Sequence, residues 1–214
     1  TTTANITAKS VTVSGITASN KTYDASTLAT VDVSSASFSG IVSGDNLSVS
    51  ASGVFDNANV GTSKTVTLTS SYSGDDVNNY SITDQASTTA TVTKVSLTAT
   101  ATASNKSYDA TTTATVTLTF SGLVGSETLG QSVSSTFSDK NVGTGKTVTV
   151  NSITLSNGSN GGLAGNYSVS SGQTSTADIT TKALTVSGIT GVNKTYDGSV
   201  GATLNTSSVT YSGL

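Results

Sequence analysis

The side chains best placed to do chemistry in this 214-residue chain are its lysines and aspartates, which recur together. The string Asn20-Lys21-Thr22-Tyr23-Asp24 returns as Asn105-Lys106-Ser107-Tyr108-Asp109 and again as Asn193-Lys194-Thr195-Tyr196-Asp197. A lysine amine beside an Asn or Asp can condense into an intramolecular isopeptide bond, with loss of ammonia or water, and Lys21 and Lys64 are the candidate donors. The commoner fate of a lysine beside a carboxylate is a plain ion pair, and ion pairs are expected at these positions. Asp24, Asp109 and Asp197 are expected to cap a tight turn through their own side chains.

Other chemistries find less support. Calcium takes six to eight oxygen ligands, and the nearest cluster, Asp75-Asp76 with Asn78 and Asn79, becomes Gly161-Gly162-Leu163-Ala164 in the corresponding place further on, so a turn is expected. Gly143-Thr144-Gly145-Lys146 imitates a phosphate-binding loop but precedes a strand-like run, where such a loop needs a helix N-terminus. His and Cys are absent, which removes the usual bases, nucleophiles and metal ligands. No pair of carboxylates stands out for glycoside hydrolysis. Nine Asn-x-Ser/Thr sequons, against about six expected by chance from 15 Asn among so many hydroxyls, do not establish glycosylation. The chain therefore reads as no enzyme, with no catalytic residue, cofactor or metal site.

Composition narrows the partners. Charged residues are 10% of the chain against about 25% in a typical domain, while Ser and Thr fill more than a third of it. Net charge is −3, and the nine lysines are scattered without a single Arg, which speaks against nucleic acid. No apolar run approaches a membrane span.

The elements that hold these residues come in repeats. Signature strings lie 85 and 88 residues apart, and further markers follow in the same order. Phe38-Ser-Gly matches Phe120-Ser-Gly and Tyr211-Ser-Gly; Asn59-Val-Gly-Thr-Ser-Lys64 matches Asn141-Val-Gly-Thr-Gly-Lys146; Asn79-Tyr80-Ser matches Asn166-Tyr167-Ser. Two complete repeats are expected at 9–94 and 95–182. Residues 1–8 read as the last strand of a preceding copy and 183–214 as the start of a further one.

Alternating runs such as Lys64-Thr-Val-Thr-Leu-Thr69 have the period of a half-buried strand, and nothing shows helical spacing. The first repeat predicts strands at 10–16, 27–33, 37–42, 47–51, 64–70, 80–83 and 88–93. Seven strands in about 85 residues suggest an all-β fold of tandem β-sandwich modules, immunoglobulin-like in size, in a linear rod; β-grasp-like modules are the alternative. Tyr23, Phe38, Phe55 and Tyr80, with counterparts Tyr108, Phe120, Phe137 and Tyr167, are expected to form each module's core. At the junction, 88–103 contains no Gly, Pro or Asp. The apolar positions switch from even to odd near Lys94, so strand is expected to run into strand with a twist or a change of sheet.

The Asn-Lys-[Thr/Ser]-Tyr-Asp string, with Asn-Val-Gly-Thr-Gly-Lys-Thr-Val and Gly-Asn-Tyr-Ser after it, resembles the YDG-type repeat domains, close to MBG-type repeats, of large bacterial surface proteins including filamentous-haemagglutinin-like adhesins. The third copy alone has Gly198 after its Asp, where the first two have Ala25 and Ala110. If the family glycine serves a positive-φ turn, the alanine copies need another geometry. The resemblance implies a surface-exposed repeat with no known catalysis, and with junctions too short to hinge, the expected role is a cell-surface or extracellular structural stalk or fibre segment that provides reach and stiffness. Its partners would be neighbouring repeats, other copies in a fibre, or a host or environmental surface. The alternative is a repeat that binds glycan or protein in every copy.

Overall fold

Val, Thr and Ser alternate because each strand turns one face to a thin core and the other to water, and β-branched side chains suit that pleated surface. The computed structural model describes residues 1–214, and the chain is all-β apart from two single-turn 3-10 helices at Val77–Asn79 and Ala164–Asn166. The first repeat contributes β1 (Lys9–Ser14), β2 (Thr17–Ala18), β3 (Lys21–Thr22), β4 (Leu28–Ala29), β5 (Val31–Asp32), β6 (Ser37–Ser39), β7 (Ser48–Phe55), β8 (Gly61–Ser73), β9 (Tyr80–Thr83) and β10 (Ser87–Thr93). The second contributes β11 (Val95–Ala103), β12 (Lys106–Ser107), β13 (Val116–Ser121), β14 (Leu129–Phe137), β15 (Gly143–Asn157), β16 (Tyr167–Val169) and β17 (Thr174–Thr180). Residues 183–214 form β18 (Thr185–Ser187), β19 (Thr190–Val192), β20 (Thr203–Asn205) and β21 (Thr210–Ser212).

Each complete repeat places most of its strands in two sheets, and in the first repeat β2 and β5 form a further antiparallel pair. In the first, β6-β1-β9 form one and β3-β10-β8-β7-β4 the other; in the second, the corresponding orders are β13-β11-β16 and β12-β17-β15-β14. Both repeats mix directions. The first strand pairs parallel with the strand after the 3-10 turn (β1 with β9, β11 with β16), and the short strand carrying the signature lysine pairs parallel with the last (β3 with β10, β12 with β17). An immunoglobulin sandwich is built from antiparallel sheets.

The expected change of sheet falls at Lys94, the single residue between β10 and β11. Ala90 and Val92 are buried before it and Leu97 after it, so the inward face flips there.

By contact, the chain forms two compact units that are offset from the sequence repeat. The first comprises 1–99 together with 120–132 and 154–170 of the second repeat; the other comprises 100–119, 133–153 and 171–214. The core of the first unit joins Val13, Ile16, Tyr23, Phe55, Val66, Leu68, Ala90 and Val92 to Leu97 and Tyr167. The other core is smaller: Ala114, Phe137, Val148, Ala177 and Ile179, with Tyr108 half-buried against it.

The imitation phosphate loop is a β-bulge. Pairing of β15 with β17 slips between Gly143 and Lys146, and pairing of β10 with β8 slips at the matching place. Gly145 (φ 59°) and its counterpart Ser63 (φ 49°) take the left-handed conformation that lets the extra residue out of the ladder.

Candidate functional site

The signature string builds a clamp. Lys21 donates to Asp24 Oδ1 at 2.7 Å and to the carbonyls of Ser26 and Leu28 at 2.7 and 3.0 Å, which uses all three ammonium protons. The same nitrogen lies 5.4 Å from the centre of the Phe55 ring. Lys106 repeats the arrangement on Asp109, Thr111 and Thr113 at 2.8, 2.8 and 3.0 Å, 5.4 Å from the Phe137 ring. Lys194 holds Asp197 and the Ser199 carbonyl, both at 2.9 Å. The clamp thus folds the chain after the signature back onto it.

Asp24, Asp109 and Asp197 each accept a second bond at 2.9 Å from the backbone N–H two residues on. Partial burial pushes the Asp24 carboxyl up, and the bonds from Lys21 and the Ser26 N–H outweigh it, leaving it below the usual range. The bond from Lys106 takes Asp109 down to about 2, helped by the Thr111 amide and hydroxyl. Lys194 likewise lowers Asp197.

The alanine copies do not adopt another geometry. Ala25 and Ala110 sit at φ 61° and 65°, beside 75° for Gly198. A left-handed alanine costs about 1–2 kcal/mol, and the lysine and aspartate bonds on either side hold it there.

The rest of the string fastens the clamp to the end of its repeat. Asn20 Oδ1 accepts the Thr91 N–H and Asn105 Oδ1 the Asp178 N–H, both at 2.7 Å. The backbone N–H groups of Tyr23 and Tyr108 donate to Thr93 and Thr180 at 2.9 Å. In both complete copies the side-chain oxygen of this asparagine is therefore taken by the backbone.

Tyr23 does not stay within its own repeat. Its hydroxyl donates to Glu127 Oε1 of the second repeat at 2.7 Å, and Tyr167 donates to Oε2 of the same carboxylate at 2.6 Å. The two rings meet edge to face at 5.7 Å between centroids. Val124 N–H donates to the Tyr167 hydroxyl at 3.1 Å. Alongside, Asn166 is 2% exposed; it accepts the Val60 N–H through Oδ1 and donates through Nδ2 to Asn59 Oδ1, both at 3.0 Å. Burial, then the bond to Glu127, pushes the Tyr23 phenol up to about 12, and the same causes raise Tyr167.

The four aromatics of each repeat do not form that repeat's own separate core. Tyr23, just past the end of β3, and Tyr167 instead share one core across the repeat boundary, their rings in edge-to-face contact. Phe55, Phe137 and Tyr80 are buried, whereas Phe38, Phe120 and Tyr108 are only half-buried. Tyr196 is 93% exposed. The sequence marks Asn166 only as a repeat position and gives no role to Glu127 or to Tyr72, which packs on Phe38 at 6.3 Å and donates to Asp84. A signal for Glu127 existed: it is the chain's one glutamate, and it lies seven residues after Phe120, as Asp45 lies after Phe38.

Lys64 and Lys146 are ion-paired with Asp56 and Asp139 at 2.7 and 2.6 Å. The bonds from these lysines hold both carboxyls below the usual range. Condensation of a lysine with Asp56 or Asp139 needs the opposite, a protonated carboxyl. In the Asp75-Asp76 cluster, Asp76 accepts the Asn46 N–H at 2.9 Å, and the nearby Asp45 accepts the Tyr80 hydroxyl at 2.6 Å. No group of three His, Cys, Asp or Glu is gathered as metal ligands. No helix is long and apolar enough to cross a membrane.

Neither the curated proteins nor the solved structures contain a match to this chain. The family model of the YDG domain matches twice, over residues 7–90 and 92–177. With both repeats matched and the clamp built on the Lys-[Thr/Ser]-Tyr-Asp string in each, the chain belongs to the YDG domain family.

Proposed function

We propose that these repeats form a structural stalk or fibre segment of a large extracellular bacterial surface protein or adhesin, and that their role is reach and stiffness. The observation that carries this reading is the shared core at the repeat boundary, with Tyr23 and Val92 of one repeat packed against Leu97 and Tyr167 of the next. A boundary that buries aromatic rings and a doubly bonded carboxylate resists bending, whereas a Gly/Ser linker behaves as a flexible coil. The lysine, aspartate and asparagine side chains of the signature are consumed by the fold, so they are read as folding determinants and not as a reacting centre. Tandem β-sandwich modules in a linear rod are the arrangement this role calls for.

Small-angle scattering and force spectroscopy test the reading. A stalk gives a stiff elongated particle and regularly spaced unfolding events, with no selective signal on a glycan array. A compact or freely jointed particle refutes it. Selective glycan or protein binding by each copy would favour a binding module instead.

A further inference from the structure

The chain between the end of β15 and the second 3-10 helix lies against the residues on either side of Glu127. Asn160 Nδ2 donates to the Ser126 carbonyl at 3.0 Å, Ser159 N–H donates to Thr128 Oγ1 at 2.8 Å, and Thr128 N–H donates to the Ser159 carbonyl at 3.2 Å. A Cβ added at Gly161 would stand 3.9 Å from Glu127 Oε1. This loop therefore holds in place the carboxylate that Tyr23 and Tyr167 share.

It also contains two Asn-Gly pairs, Asn157-Gly158 and Asn160-Gly161. An asparagine before glycine is chemically labile, because glycine has no Cβ to shield its amide nitrogen and lets the chain bend until that nitrogen meets the side-chain amide. The fold treats the two pairs oppositely. Asn157 Oδ1 accepts the Ala164 N–H and Gly158 N–H donates to the Gly162 carbonyl, both at 2.9 Å, and a Cβ at Gly158 would run into the Thr128 carbonyl, so this pair is locked. Asn160 is exposed, its side chain makes the one bond to Ser126, and Gly161 N–H donates to no atom of the chain. Only that bond and the turn bond from Gly162 N–H to the Ser159 carbonyl have to yield for the Gly161 nitrogen to reach Asn160 Cγ.

We propose that Asn160 is a self-modification site, which deamidates in the folded chain and places a new carboxylate on the loop that holds Glu127. The Gly161 nitrogen gives up its proton and bonds to Asn160 Cγ, Nδ2 leaves with that proton as ammonia, and a succinimide ring closes. Water then opens the ring. Attack at Cγ leaves an ordinary aspartate, and attack at the backbone carbonyl leaves an isoaspartate, with the chain running through Cγ. Water is the one co-reactant, ammonia is the one by-product, and nothing is oxidised or reduced. Neither carboxylate product can donate to the Ser126 carbonyl. Each adds a like charge beside Glu127, whose own charge is met by two phenols and by no cation. The joint is weakened as a result. The site goes beyond the stalk reading and does not rest on it.

Ageing the full chain for days in mildly alkaline buffer, followed by cleavage after lysine and mass spectrometry, tests the proposal. The peptide 147–182 is expected to gain about one dalton at Asn160, and isoaspartyl methyltransferase should label it. Conversion at Asn157 should be about tenfold slower, because two further hydrogen bonds lock that pair. In the excised peptide the lock is gone, and the two sites should react at similar rates. Asn160→Gln should abolish the conversion. Asn160→Asp, which copies the aspartate product, should raise the unfolding equilibrium constant in urea about three- to tenfold, the loss of one hydrogen bond. A folded chain that converts at Asn157 as fast as at Asn160, or at neither, overturns the modification. An Asn160→Asp chain as stable as wild type overturns its effect on the joint.

Discussion

The Tyr23 hydroxyl lies 2.7 Å from Glu127 Oε1, a contact between residues 104 positions apart that ties the signature of one repeat to the next repeat. The carboxylate is 9% exposed and takes a second phenol from Tyr167, so its charge is met by two short O–H donors and not by a cation. Truncating it leaves two buried hydroxyls without an acceptor. Glu127→Ala is expected to destabilise the first unit by about 3 kcal/mol, and Tyr23→Phe by less, because it also removes the stranded donor. Urea unfolding of the single and double variants checks this, with a coupling energy above about 1 kcal/mol expected between the two positions.

Alkali should loosen the same joint. The Tyr23 phenol is held at about 12, above its unfolded value near 10. A raised folded value contributes stability that is complete below pH 10 and is lost as pH climbs through 12. Tyr167 is raised as well and adds to the loss. Phenolate absorbance is expected to rise late for these two residues and together with loss of the β-sheet signal. In Tyr23→Phe the transition should move to higher pH.

Acid acts on the clamp. Asp24, Asp109 and Asp197 are lowered, Asp109 to about 2. A lowered carboxyl contributes stability that is present above its unfolded value near 3.9 and is lost as pH falls through the folded one. Thermal stability is therefore expected to hold down to about pH 4 and to fall between 4 and 2. Lys106→Met should remove most of that acid sensitivity from the second repeat. It also strands the Thr111 and Thr113 carbonyls, at a cost of about 1–3 kcal/mol at neutral pH.

The turn can be improved. Ala25 and Ala110 carry the left-handed strain that Gly198 avoids, so Ala25→Gly and Ala110→Gly are each expected to stabilise by about 1 kcal/mol. Ala51→Gly, in the middle of β7, is the control and should destabilise by about 0.5–1 kcal/mol. Melting temperatures decide between these signs.

Much of the fold was legible because alternation has only one physical reading. The run from Lys64 to Thr69 lies in β8 with Val66 and Leu68 buried, and the parity switch at Lys94 is a switch between sheets. The short strands β2 and β3 escaped notice since two residues carry no period. The parallel pairings were invisible for a related reason: β1 meets β9 across most of a repeat, and nothing local in either strand states that partner.

The site divides in the same way. Lys21 and Asp24 are three residues apart and their turn is local chemistry, so the aspartate cap could be read from the string. The left-handed alanine could not, because local preference opposes it and only the surrounding bonds impose it. Tyr23 was expected in a core from its type, but type cannot say that the core belongs equally to the next repeat. Glu127 is hardest of all, since a lone glutamate in a loop normally reads as solvated.

The offset between sequence repeat and packing unit has a genetic consequence. A repeat carries the donor half of one joint at its Tyr23 side and the acceptor half of another at its Tyr80 side, and the acceptor carboxylate is Asp in one copy and Glu in the next. Unequal recombination that inserts or deletes a whole repeat therefore rejoins a donor half to an acceptor half and leaves no face uncovered. Array length can drift by whole repeats without any new interface having to evolve, whereas a deletion of half a repeat exposes a split core and is removed by misfolding.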